Sequence, residues 1–167
     1  MTGRADLDPR FEAYLLQAVE LSSSHVAAGG IPFAAVVVDP RHGVVGSGVN
    51  RVAVDRDPTA HAEVTAMRAA YAGQGDFSLA GCTLLASGEP CALCYTAALW
   101  FNIDRIVFAV DRHGAAAAGF DYRGSYDIFA VQPADWSIDV RHLPVAGGNE
   151  PFDRWRARRA GPAGVSL

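Results

Sequence analysis

The chain of 167 residues has only three cysteines, an odd number, and two of them sit together in "CALC". That argues against a disulfide framework and for metal or redox chemistry. No apolar run approaches the roughly 18 residues of a membrane span, and the N-terminal "MTGRADLDPRFEAY" has acids and no apolar h-region. A cytoplasmic protein with no membrane partner is expected. There is no excess of positive charge either: the formal net charge is −4 and the pI is near 5.6. Long-range electrostatics therefore favour neither nucleic acid nor an anionic membrane, and a small molecule is the expected partner. Repeats and low-complexity blocks are absent, while half of the residues are hydrophobic. One ordinary domain with a sizeable core is the result.

The segment 8–26 carries Phe11, Leu15, Ala18, Val19 and Val26 at near-helical spacing, starts at Asp8 and Pro9, and stops at Gly29 and Gly30. Next, "FAAVVVD" and "VVGSGVN" flank "PRHG", which reads as a β-hairpin. "CTLLAS" and "RIVFAV" are short apolar runs, as expected of strands covered on both faces. Two further helices are predicted over 58–71 and 90–101, each entered through a proline at a first helical position. A strand at 138–143 and a last helix over 151–159 complete the reading. The alternation predicts an α/β domain with a mixed sheet, in which the hairpin is antiparallel and the helix-linked strands are parallel.

Two short motifs carry chemistry, His61-Ala62-Glu63 and Pro90-Cys91-Ala92-Leu93-Cys94. Each alone is weak, since a lone histidine is usually a local hydrogen-bonding residue and a Cys-x-x-Cys can be redox-active or half of a structural zinc site. Together they open two predicted helices whose N-termini can meet at one sheet edge. Cys91 and Cys94, at i and i+3, share a helical face, and a helix N-terminus favours thiolates. In mid-helix His61 and Glu63 would diverge by roughly 200°, but at a first turn both can reach one point. One imidazole and two thiolates neutralise Zn²⁺ and leave the fourth position open, the pattern of a catalytic zinc. Glu63 is then placed to move the proton of a water at that position.

"HAE" followed by "PCALC" resembles the zinc-dependent cytidine deaminase-like superfamily. "DPTAHAEVTAMRAA", "SGEPCALC", "AALWFNIDRIVFAV", "AGFD" and "PFDRWR" are similar to its guanine deaminase branch over about residues 29–158. The resemblance implies a three-layer α/β/α fold with a mixed, about five-stranded sheet. It also implies one zinc per chain on His61, Cys91 and Cys94, and proton transfer by Glu63. Asn50 would hold the base, Phe33 and Trp100 would line the pocket, and the Ala62 amide would meet a substrate carbonyl. The family implies a homodimer, with a deaminase domain over 1–149 and a C-terminal helix and tail over 150–167 that in the guanine branch reaches the partner. One departure bears on the substrate. Guanine deaminases commonly carry two acids after "AGF", the second contacting the substrate, whereas Asp121 is followed here by Tyr122.

The expected reaction is hydrolytic deamination of a free nucleobase or nucleoside, guanine to xanthine first, with guanosine, cytosine or a triazine-type base as rivals. The arginines of "DRWRARR" keep tRNA adenosine deamination as a further alternative, although a terminal charge run is more often a solvated face. A redox pair leaves His61 and Glu63 unexplained. A structural zinc needs a fourth protein ligand, and His25, His42, His113 and His142 lie in unpatterned positions. A zinc-stabilised binding module without activity is the remaining class. Cys82 reads as a small core residue.

Overall fold

Apolar residues three and four apart, ending at a glycine pair, produce the first helix, α1 (Arg10–Ala27). The Asp8 carboxylate accepts the Arg10 amide at 2.9 Å ahead of it. Beyond α1, Gly29 takes a φ of 90°, which glycine adopts without the steric cost other residues meet. Two strands follow, β1 (Ala34–Asp39) and β2 (Gly43–Val49), paired antiparallel as the hairpin reading predicted. Asp39 closes their turn by accepting the amides of Arg41 at 2.8 Å and His42 at 3.0 Å.

The rest of the first unit is α2 (Val52–Asp55), α3 (Ala62–Gln74), β3 (Thr83–Gly88), α4 (Ala92–Trp100), β4 (Arg105–Val110), α5 (Arg112–Ala117) and a 3₁₀ helix, Arg123–Ala130. This computed structural model describes residues 8–74, 78–132, 135, 141, 143–146 and 149–159. They fall into two units, Met1–Ala130 and Val131–Leu167. The second contains α6 (Glu150–Arg159), close to the helix predicted at 151–159, with Arg154 paired to Glu150 at 2.9 Å along it. No helix among the described residues is long and apolar enough to cross a membrane.

The strand order is β2-β1-β3-β4, with β1 and β3 antiparallel and β3 and β4 parallel. Every residue of β1 and β3 is buried, because helices cover both faces. Val36, Val38 and Leu85 pack with Ala18 of α1. Ala35, Val37, Leu84 and Ala86 point the other way, onto Ala66, Met67 and Ala70 of α3 and Ala98 of α4. This is the three-layer α/β/α arrangement. Among the described residues the sheet has four strands, not about five, and the segment expected as a strand at 138–143 lies outside them apart from Arg141 and Leu143, neither in a strand.

Two glycines set how closely α3 sits on β2. A Cβ on Gly46 would come 2.5 Å from the Ala66 carbonyl oxygen, and one on Gly48 would come 2.5 Å from the Ala66 amide and 2.6 Å from the Ala62 oxygen. The helix backbone therefore rests on the strand backbone, with Ala62, Ala66 and Ala70 forming an i, i+4 ridge. Only glycine leaves that space.

Two helix starts differ from the sequence reading. The prolines at 58 and 90 precede the helices, which begin at Ala62 and Ala92. Pro58 belongs instead to a turn capped by Asp57, whose carboxylate accepts the Thr59 amide at 2.8 Å and hydroxyl at 2.7 Å. That local bonding competes with helix and delays its start. The sequence reading also lacked α2, α5 and the 3₁₀ helix, all short. The Asp111 carboxylate caps α5 by accepting the His113 and Gly114 amides at 3.1 and 2.7 Å.

Candidate active site

The late start of α3 and α4 builds the metal site. His61 and Cys91 are each the residue immediately before a helix, and Cys94 is the third residue of α4. The His61 Nδ1 lies 3.5 Å from the Cys91 sulfur and 3.5 Å from the Cys94 sulfur, and the sulfurs are 3.7 Å apart. An ion bound tetrahedrally at about 2.3 Å from sulfur and about 2.0 Å from nitrogen requires separations of about 3.6 Å for N–S and about 3.8 Å for S–S. The three side chains meet that requirement. They form a metal-ligating group with no fourth protein ligand among the described residues.

Glu63, the second residue of α3, is 5% exposed. Burial pushes its carboxyl up to about 7. Cys91 is drawn down to about 4 by the Cys94 thiol and His61 against its sulfur, Cys94 is pushed up by the same contact, and His61 is raised by its hydrogen bond with Cys91. The Cys91 thiolate thus already favours a cation beside it.

A cavity of about 370 Å³ opens beside these groups, lined by Ile31, Phe33, Asn50, Val52, His61, Glu63, Glu89, Cys91, Tyr122 and Ser125. It brings together six of the predicted residues, Phe33, Asn50, His61, Glu63, Cys91 and Tyr122. Cys94 is buried behind Cys91. The Asn50 Oδ1 accepts the Val52 amide at 3.2 Å, which orients the carboxamide where Asn50 lines the cavity. Phe33 stands edge-on to Phe120 at 5.2 Å and Tyr122 at 6.3 Å. Ala62 is buried at the head of α3, where a first-turn amide has no acceptor within the helix.

Two predicted residues are placed elsewhere. Trp100 ends α4, roughly 13 Å along the axis from its start, and is 84% exposed. Asp121 is exposed and paired with Arg123 at 2.7 Å, turned to its own loop and not to the cavity. Tyr122 directs its hydroxyl to the Glu89 carbonyl at 2.6 Å. The sequence reading missed Ile31, Val52, Glu89 and Ser125. Glu89 had a signal, its place in "SGEPC" beside the first ligand, whereas Ser125 lies in the stretch without legible periodicity.

The chain matches the model of the cytidine and deoxycytidylate deaminase zinc-binding region over residues 9–110. It is 37% identical to guanine deaminase of Bacillus subtilis over 151 residues, 87% of this chain and 93% of that protein. The crystal structure of a Bacillus subtilis guanine deaminase superposes with a TM-score of 0.82 at 33% identity, over 96% of this chain and 100% of that one. A tRNA-specific adenosine deaminase of Haemophilus influenzae is 36% identical over 70% of this chain and 65% of its own length. A structure solved with 2,6-diaminopurine bound is 35% identical, with a TM-score of 0.63 over 67% of this chain and 62% of that one.

Proposed function

Because the chain belongs to the family of zinc-dependent deaminases that carry the cytidine and deoxycytidylate deaminase zinc-binding region, and is therefore a hydrolytic enzyme, we propose that its substrate is a free nucleobase, guanine first, converted with water to xanthine and ammonia. The observation that carries this reading is the cavity itself. Its size suits a small ring, and its lining has one carboxyl poised near neutrality, an orienting carboxamide, two aromatic side chains and no arginine. All fourteen Lys/Arg positions of the chain are arginine, and among the described residues the lining offers none of them as a fixed cation for a nucleotide's phosphate. The likeness to guanine deaminase along nearly the whole chain supports the same choice.

His61, Cys91 and Cys94 would hold the zinc, which when bound supplies a Lewis acid that lowers the pKa of a coordinated water to about 7. The remaining work falls to the chain's own groups. Glu63 takes one proton from the attacking water and delivers it to the ring nitrogen beside the amine. It then takes the second from the newly added hydroxyl and gives it to the amine as the carbon–nitrogen bond breaks, the ring carbonyl forms and ammonia leaves. Asn50 and the Ala62 amide hold the ring's polar edge, and Phe33 and Tyr122 bound its faces. Water expelled from this buried corner keeps the Glu63 proton on that path.

The same reading makes the protein a cytoplasmic homodimer of purine metabolism. Support comes from three free cysteines and from the exposed apolar end of α4, Leu99 and Trp100, which we assign to the partner. The C-terminal helix and tail, 150–167, are assigned there too. Sedimentation should give twice the 17.6 kDa chain mass.

Ammonia release from guanine, guanosine, cytosine, adenosine and a triazine by the zinc-loaded protein tests the substrate, and guanine should react fastest. A fastest rate on another member would displace guanine. The tRNA reading has the Haemophilus relative in its favour. It requires steeply salt-dependent binding to an anticodon stem-loop, which the acidic total charge opposes.

A further inference from the structure

The contacts that hold one wall of the cavity converge on a residue that does not line it. Glu89 lines the cavity with its side chain 7% exposed, and its carboxylate is gripped by Arg112. The Arg112 backbone amide donates to Oε2 at 2.7 Å, Nε donates to Oε1 at 3.0 Å, and Nη2 donates to Oε1 as well. The same guanidinium lies 3.8 Å from the centre of the Tyr126 ring. Tyr126 in turn donates its hydroxyl to the Pro90 carbonyl at 2.6 Å. The circuit closes on itself: Glu89 to Arg112, Arg112 to Tyr126, and Tyr126 to the residue next to Glu89.

Two further bonds tie the cavity wall to the same stretch. Tyr122 donates to the Glu89 carbonyl at 2.6 Å, and the Ala92 amide donates to the Ser125 Oγ at 3.2 Å. Besides these bonds Tyr122 has ring contacts with Phe33 at 6.3 Å and with Tyr126 at 6.5 Å, the second belonging to the same circuit. The 3₁₀ helix Arg123–Ala130 has no buried residue, and Ile128 and Phe129 are more than half exposed. Eight residues is long for a 3₁₀ helix, whose poor hydrogen-bond geometry rarely sustains more than one turn. A wall without a core of its own takes its position from its anchors.

We propose that Arg112 is a positioning residue for the deamination: through Glu89 and Tyr126 it fixes Tyr122 and Ser125 opposite the zinc ligands and so sets how tightly the base is held. The proposal rests on the reading of this cavity as a nucleobase site. A charge-assisted, forked pair suits the task, because it fixes direction as well as distance. Lysine would keep the charge but supply neither the fork nor the flat face that lies on Tyr126.

The test is made on zinc-loaded, full-length Arg112→Gln, Arg112→Lys and Tyr126→Phe. Tyr126→Phe keeps the ion pair and the ring, which protects the experiment if Arg112→Gln, with Glu89 left unpaired, folds poorly. In the ligand-free proteins, amide hydrogen exchange should quicken over 122–130 while α1 and α3 keep their protection. With whichever of guanine, guanosine and cytosine the parent deaminates, KM should rise about tenfold in both Arg112 variants, and less in Tyr126→Phe, with kcat and zinc content much less affected. Inactivity of the parent on guanine counts against the guanine reading and leaves the exchange arm standing. Rescue by lysine, unchanged exchange over 122–130, or quickened exchange with an unchanged KM would each overturn the proposal, as would a joint loss of zinc and kcat.

Discussion

Gly48→Ala should damage the metal site without touching it. The added methyl would meet the Ala66 amide at 2.5 Å, the Ala62 oxygen at 2.6 Å and the Thr65 carbonyl carbon at 2.9 Å. All three are helix backbone, so no side chain can swing aside, and α3 must lift from β2 to reach an ordinary contact of 3.4 Å or more. A lift of about 1 Å at the first turn carries His61 and Glu63 with it, against a tolerance of about 0.2 Å for metal–ligand distances. Overpacking of this kind costs about 1–3 kcal/mol, or roughly 2–12 °C in Tm for a chain of this size. A misplacement of about 1 Å costs catalysis on the order of 10²-fold. The measurements are Tm, bound zinc and kcat/KM of the purified variant. Gly73→Ala is the control, because its Cβ would meet nothing within 4 Å and should leave stability equal or higher. Parent-like activity and Tm in Gly48→Ala would refute the claim that this glycine sets the height of α3.

Four more outcomes follow from the same geometry. Glu63→Gln should keep zinc and fold while turnover falls at least about 10²-fold, measured as ammonia release; near-normal turnover would remove Glu63 from the mechanism. Cys91→Ala and Cys94→Ala should each be purified without stoichiometric zinc, since two ligands of a three-ligand site hold the ion poorly, and full retention in both would sink the site. The Arg41 amide, with burial opposing it, holds the Asp39 carboxyl below its ordinary 3.8. Its stabilisation is therefore complete above that value and lost as pH falls through the folded one, so Asp39→Asn should lower Tm at pH 7, with the difference closing in acid. Tyr122→Asp exchanges a phenol bound to the Glu89 carbonyl for a carboxylate acceptor; it should shift the ranking among guanine, guanosine and cytosine, and an unchanged ranking would show that position 122 does not choose the substrate.

What was legible in the sequence was whatever periodicity or ligand chemistry writes locally. The hairpin, the strands β3 and β4 and the two site helices follow from apolar patterning, but only β3 is covered on both faces as expected, because β4 ends the sheet order and is exposed at its ends. The zinc ligands follow from residue types that have few other reasons to sit at helix starts. Pro58 misled by four residues at α3, which starts at Ala62, because Asp57 bonds its own turn, a competition invisible in hydrophobic pattern. Trp100 was expected to line the pocket, yet the length of α4 carries it to the far end. The stretch from 111 to 130 was illegible for a physical reason: α5 has six residues and the 3₁₀ helix has no buried face, so neither leaves a stripe to read.

That division of legibility follows a division of labour. His61, Glu63, Cys91 and Cys94 stand at the starts of two helices packed on the sheet. His61 and Glu63 are placed by the backbone contact of α3 with Gly46 and Gly48 and by its buried alanine ridge, Cys91 and Cys94 by α4, which packs into the core through Ala98. Tyr122 and Ser125 stand on a segment held by side-chain anchors alone. On the proposed reading, the groups assigned to the chemistry are thus set by the fold, while the groups assigned to the rest of the ring are set by ring contacts and a few replaceable hydrogen bonds. Substitutions in the second set can change which ring is accepted without moving a zinc ligand. A tyrosine where guanine deaminases commonly carry an acid is a change of that kind, confined to the wall.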